Sequence, residues 1–223
     1  MMPWLIGRRR LALAFALGAG AALGQAPWGL WPLTLVAMAG VTALVARATT
    51  SRSAFAVGLA AGTGHFALAL SWIVEPFLID IAAHGWMAPF AVVLLSSGLG
   101  LFWGAAAALA RQTRTPAVGF VASFIAQEWL RGVILTGFPW AMLGHVWIGT
   151  PFDQLAALIG PSGLSLALLL AAALPVLWPW RGLAGSALIL TLAFGFGTWR
   201  LAQPLPPGRD LTLRLVQPNA EQS

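Results

Sequence analysis

"EWLRGVILTGFPW", residues 128–140, places Glu128 and Arg131 inside an apolar run and follows them with a Gly137-Phe138-Pro139-Trp140 corner. The run behind it, 116–135, approaches a bilayer crossing, which takes about 18–20 apolar residues. On a helix, residues three apart share a face, so Glu128 and Arg131 are expected to pair. A charge near mid-bilayer costs about 2.5–3.5 kcal/mol on insertion scales, so pairing or a wet cavity is needed. Two readings stay open on these residues alone: a structural pair that fixes helix packing, or a polar site opening outward for a lipid headgroup. Gly137 is expected to break the helix, and Pro139 to bias Phe138 toward extended geometry. Phe138 and Trp140 equally suit interfacial aromatic anchors.

The rest of the chain fits a membrane setting. Of 223 residues, 59% are hydrophobic and 8% charged, with a mean hydropathy of +0.84. A soluble domain carries about 25% charged residues, so this chain lacks the polar surface to stay in water. Cysteine is absent, which excludes disulfides, thiolate metal sites and a cysteine nucleophile within these residues. All twelve basic residues are arginine. They flank the apolar runs, which fits membrane orientation and not nucleic-acid binding.

The expected fold is an all-α polytopic membrane protein with about seven transmembrane helices, at 9–24, 28–46, 54–75, 87–110, 116–135, 161–180 and 183–200. The basic head and apolar middle of the first run also resemble a secretory signal, but a second apolar run follows at once, so an uncleaved span is the reading adopted. With a cytoplasmic N-terminus, Arg8, Arg9, Arg10, Arg47, Arg52, Arg111, Arg114 and Arg181 fall inside, and Arg131, Arg200, Arg209 and Arg214 outside. That bias follows the positive-inside rule and puts the C-terminus outside. The segment from Thr136 to Gly160 is long, non-basic and rich in Gly, Pro and Trp; such segments in compact membrane domains are often functional.

Other motifs read as structure. "GAALG" (20–24), "GLAAG" (58–62) and "GLFWG" (100–104) are small-xxx-small patterns for close helix packing. His65, His84 and His145 show no metal-ligand spacing, and His65 is expected to be a hydrogen-bonded packing residue. Ser162 lies in "GPSGLS", a turn opening the sixth span and not a nucleophile elbow. Beyond Arg200 a proline-rich exit leads to "DLTLRLVQPN" (210–219), whose alternation predicts a strand. The expected organisation is a transmembrane helical domain over 1–202, then a linker and first strand over 203–223.

The runs "GTGHFALALSWI" (62–73), "QEWLRGVILTGFPWAMLGH" (127–145), "DQLAALIGPSGLSLALLL" (153–170) and "LRLVQPNAEQ" (213–222) resemble, in that order, the apolipoprotein N-acyltransferase family. The resemblance covers essentially the whole chain. It implies an enzyme of the bacterial inner (plasma) membrane that moves an acyl chain from a phospholipid to the N-terminal amine of a diacylglyceryl-cysteine lipoprotein. The family's Glu-Lys-Cys triad lies in a periplasmic α/β nitrilase-like domain, which "LRLVQPNAEQ" would begin. This chain has neither cysteine nor lysine, so it is expected to hold no catalytic residue, no metal and no cofactor, and to be inactive alone, as a fragment of a longer protein. Glu128, Arg131, Gly137, Phe138, Pro139 and Trp140 become the candidate lipid- or substrate-binding residues. A catalytically dead membrane scaffold or lipid-binding module is the rival reading. A small transporter is disfavoured, because no paired half-repeats with broken helices are present.

Overall fold

The computed structural model describes residues 3–134, 136–204, 212 and 214–217. Among the described residues the chain is all-helical, with seven helices of 16 residues or more. In chain order these are α1 (Pro3–Ala22), α2 (Trp31–Ala46), α3 (Ser51–Ala69), α6 (Ala88–Ala110), α7 (Pro116–Arg131), α8 (Ala156–Leu177) and α9 (Pro179–Leu201). Two one-turn helices, α4 (Glu75–Leu78) and α5 (Ile81–His84), join α3 to α6.

Helix starts follow local chemistry. Proline occupies the first turn of α2, α6, α7 and α9, where its missing N–H leaves nothing unpaired. Thr50 caps α3 by accepting the Ser53 N–H at 3.1 Å. In α8 the helix is broken at Gly160, at φ +67, so the long run effectively begins at Pro161. That agrees with the sixth span and with Ser162 as part of its opening turn.

Four boundaries are corrected. The third span bends by 64° between Ser51–Ala69 and Ser71–Leu78, at Leu70, where the α-helix gives way to a tighter 3-10 turn over Ser71–Val74 ahead of Pro76. The fifth stops at Arg131 and not at 135, since Gly132 caps it. The sixth and seventh meet at Trp178, whose extended backbone leads straight into Pro179. The first begins at Pro3, ahead of the expected 9.

By length and composition, three stretches could cross a membrane unaided: Ile81–Ala110, Pro151–Leu177 and Pro179–Leu201. A fourth joins them if the bent pair counts as one span. α1 falls short because Arg8, Arg9 and Arg10 lie in it, and α2 and α7 have only 16 residues each. Of the expected strand, Leu211 and Leu213 lie outside the described residues. Thr212 and 214–217 are exposed and without regular structure.

Small residues set the packing distances, as the glycine patterns predict. A Cβ on Gly58 would sit 2.3 Å from the Trp103 carbonyl oxygen, and one on Gly62 would sit 2.8 Å from the Gly100 Cα. α3 and α6 therefore touch backbone to backbone. Hydroxyls bridge neighbouring helices: Thr34 to the Ala21 carbonyl at 2.8 Å, Ser123 to Ala106 at 2.8 Å, and Ser186 to Ala171 at 2.6 Å. At one end of the bundle Arg10 donates to the Leu44 carbonyl and, at 3.5 Å, to Ser53 Oγ, which ties α1 to the α2–α3 link. The α1–α2 link, the 70–78 segment and the loop after α7 gather at the opposite end.

Candidate functional site

α7 carries its charges inward. Ala117, Phe120, Val121 and Phe124 form a buried stripe, and Gln127, Glu128 and Arg131 continue it at the same three- and four-residue spacing. Both charged residues therefore face protein, at 2% exposure each.

The chain then folds back on the helix end. The Gly132 N–H bonds the Trp129 carbonyl at 3.0 Å, and the Phe138 N–H bonds that of Arg131 at 2.8 Å. Gly137 sits at φ +83, and a Cβ there would fall 2.4 Å from the Gly132 oxygen, so only glycine fits. Thr136 and Ala141 also adopt positive φ, at 72° and 55°. Non-glycine residues held there cost about 1–3 kcal/mol each, which requires the surroundings to over-determine them.

Side chains from four places supply that constraint. Arg131 Nη1 donates to the carbonyls of Phe138 at 2.5 Å and Trp140 at 2.7 Å. His65 Nε2 lies 3.2 Å from the Ala141 oxygen, and Gln25 Nε2 donates to that of Met142 at 3.2 Å. Glu128 Oε1 accepts the Leu143 N–H at 2.9 Å, and Ser165 Oγ accepts that of Gly144 at 2.8 Å. Irregular backbone buried in a membrane domain must find such partners. The rings of Phe66 and Phe138 lie 5.2 and 6.0 Å from the Arg131 guanidinium carbon.

The expected Glu128–Arg131 pairing is thus corrected. The two share a face, but among the described residues no direct ion pair joins them. The returning loop offers each a better partner, carbonyls to the cation and an N–H to the anion. The interfacial-anchor reading needs a similar adjustment. Trp140 is 58% exposed and Pro139 is exposed, but Phe138 packs on the core. Beyond them Leu143, Val146 and Trp147 are buried outright.

Against this loop lies a cleft of about 430 Å³. Gln25 and Pro27 of the α1–α2 link form one wall, Leu70 and Trp72 another, and Trp140, His145 and Ile148 a third. Trp72 and Trp140 meet edge-to-face at its lip, with centroids 6.2 Å apart. Burial, and then the Arg131 charge, hold the His145 imidazole below its ordinary pKa, so it lines the cleft as a neutral ring. Aromatic rims with a few polar groups inside are what an amphipathic ligand needs. Of the six candidate residues, the cleft takes in Trp140 alone; Glu128, Arg131, Gly137, Phe138 and Pro139 shape the loop behind it. The sequence alone does not mark Gln25, Trp72 or Ser165 for the site, whereas His65 is the hydrogen-bonded packing residue expected. His65 does stack on Trp103, with centroids 5.0 Å apart. Its bond to Ala141 is invisible without the fold, and "GTGHFALALSWI" was the available signal.

The profile of the apolipoprotein N-acyltransferase N-terminal domain matches residues 17–174, which include the cleft and the clamp that Gln25, His65, Glu128, Arg131 and Ser165 form on the loop. The chain belongs to the apolipoprotein N-acyltransferase family. It is similar to an apolipoprotein N-acyltransferase of Caulobacter vibrioides, 41% identical over 241 residues, an alignment covering 100% of this chain and 45% of that protein. It is also similar to an apolipoprotein N-acyltransferase of Allorhizobium ampelinum, 34% identical over 98% of this chain and 45% of the relative. The chain thus spans somewhat less than half the length of these apolipoprotein N-acyltransferases. In the apolipoprotein N-acyltransferase N-terminal domain seen here, clamp and cleft draw on residues far apart in sequence, from Gln25 to Ser165.

Proposed function

We propose that this chain is the membrane portion of an apolipoprotein N-acyltransferase. In this reading it holds the lipid substrates beneath a nitrilase-like catalytic domain, for which 203–223 form the linker and first strand. The whole protein moves an acyl chain from a phospholipid to a cysteine thiol and then to the N-terminal amine of a diacylglyceryl-cysteine lipoprotein, splitting one hard transfer into two. The first 202 residues, with neither cysteine nor lysine, position substrate and carry no thioester step alone.

The long helices cross the bacterial inner membrane seven times, with the N-terminus cytoplasmic and the C-terminus periplasmic. Arginine placement supports this. So does the gathering of alternate links at opposite ends of the bundle, Arg10 with the α2–α3 link at one and the cleft at the other. The observation that carries the functional reading is the cleft, walled by three links assigned to the outer side and rimmed by Trp72 and Trp140.

A chimera tests it. This chain replaces the aligned N-terminal part of the Caulobacter vibrioides relative, and the product is reconstituted in phospholipid vesicles with a diacylglyceryl-cysteine lipopeptide. N-acylated peptide is expected. A chimera that inserts but yields none, beside an active native relative, overturns the reading and leaves a lipid-binding scaffold in its place.

A further inference from the structure

The loop 138–144 is held from two sides. Glu128 and Arg131 of α7 hold it from the helix that leads into it. His65 of α3 and Gln25 of the α1–α2 link reach it from across the bundle, at the consecutive carbonyls of Ala141 and Met142. Because a carbonyl only accepts, His65 must carry its proton on Nε2. Its Nδ1 is buried with no partner among the described residues. Protonating that nitrogen would bury a second cation near Arg131, so the ring is useful only as a neutral donor. The residue it holds, Ala141, is at positive φ and directly follows Trp140, whose ring forms the lip of the cleft.

We propose that His65 and Gln25 are positioning residues: they pin the Ala141 and Met142 carbonyls and so set Trp140 against Trp72 at the mouth through which the acyl-donor lipid is taken. The role in lipid uptake rests on the acyltransferase reading above; the pinning itself does not. His65 does not line the cleft, so its effect passes through the backbone to the tryptophan, whereas Gln25 both pins the loop and forms part of the cleft wall.

Two measurements test this separately. The chain has no cysteine, so Met142→Cys introduces a single thiol at a position buried in the folded loop. Its reaction with a membrane-impermeant maleimide, in vesicles carrying this chain, reads how often the loop lifts. His65→Leu is expected to speed labelling about tenfold, the scale of one buried hydrogen bond lost. His65→Gln, which restores an N–H donor, returns it toward the parent rate. Gln25→Leu acts in the same direction, and serves if His65→Leu fails to fold. Equal labelling in parent and Leu variants, or no rescue by His65→Gln, overturns the pinning.

In the chimera, without the added cysteine, His65→Leu is expected to raise KM for the phospholipid while kcat holds. A fall in kcat at unchanged KM overturns the role in lipid uptake. If the unmodified chimera is inactive, the acyltransferase reading and the lipid-uptake role fall together, and the labelling rates still decide the pinning.

Discussion

Arg131 and Trp140 are joined through the backbone: Nη1 of the buried guanidinium donates to the Trp140 carbonyl at 2.7 Å while the indole faces outward. The same nitrogen holds Phe138, so one cation fixes both ends of the Phe138-Pro139-Trp140 corner. The charge in this apolar chain is therefore a backbone clamp, and its cost of burial is offset by bonds that no apolar residue could make.

The clamp predicts how Glu128 substitutions divide. Glu128→Gln keeps an oxygen for the Leu143 N–H and should cost little stability, under about 1 kcal/mol. Glu128→Leu leaves that N–H buried and unpaired, at about 1–3 kcal/mol. Unfolding in mixed micelles, with increasing SDS, reads both. Equal losses in the two variants would point instead to a direct ion pair with Arg131, since either change removes the charge.

Gly137→Ala should weaken the same corner from the other side. A left-handed backbone costs a residue with a Cβ about 1–2 kcal/mol, and here the Cβ would also press on the Gly132 oxygen. Lower thermal stability and faster proteolysis near residue 137 are expected. A variant indistinguishable from the parent in both would show that the loop can relax without the clamp.

Gly58→Leu probes the bundle and not the site. The side chain would drive into the Trp103 carbonyl and part α3 from α6. Overpacking of this kind costs typically about 1–3 kcal/mol. His65 and Trp103 both lie on this seam, so intrinsic fluorescence should change along with stability. Unaltered spectra with normal stability would mean that α3 and α6 have room to move.

Apolar runs were enough to read the long helices and glycine spacing their close packing, because each is a property of neighbouring residues. The bend at Leu70 was not legible: Pro76 was visible, but the chain yields several residues before it. The corner at Gly137 was legible as a break, though α7 ends sooner, at Gly132. Of the site, Glu128 and Arg131 stood out because charge is rare in this chain. Their partners did not, because carbonyls and N–H groups carry no sequence signature. Gln25, His65 and Ser165 are drawn to the loop by folding alone, from points up to 117 residues away along the chain.

The cleft should respond to acid through His145. Burial and the Arg131 charge favour the neutral ring in the folded state, below the ordinary value of 6.5. The unfolded chain therefore takes up this proton first as pH falls. Through this linkage His145 costs no stability above about pH 6.5 and an increasing amount as pH falls below it. His145→Gln should remove that part of the slope without altering stability at pH 8. Unfolding midpoints of both proteins between pH 8 and pH 5 give the comparison. Parallel curves across the whole range would mean that the ring titrates alike in both states, as it would if the cleft were open to water around it.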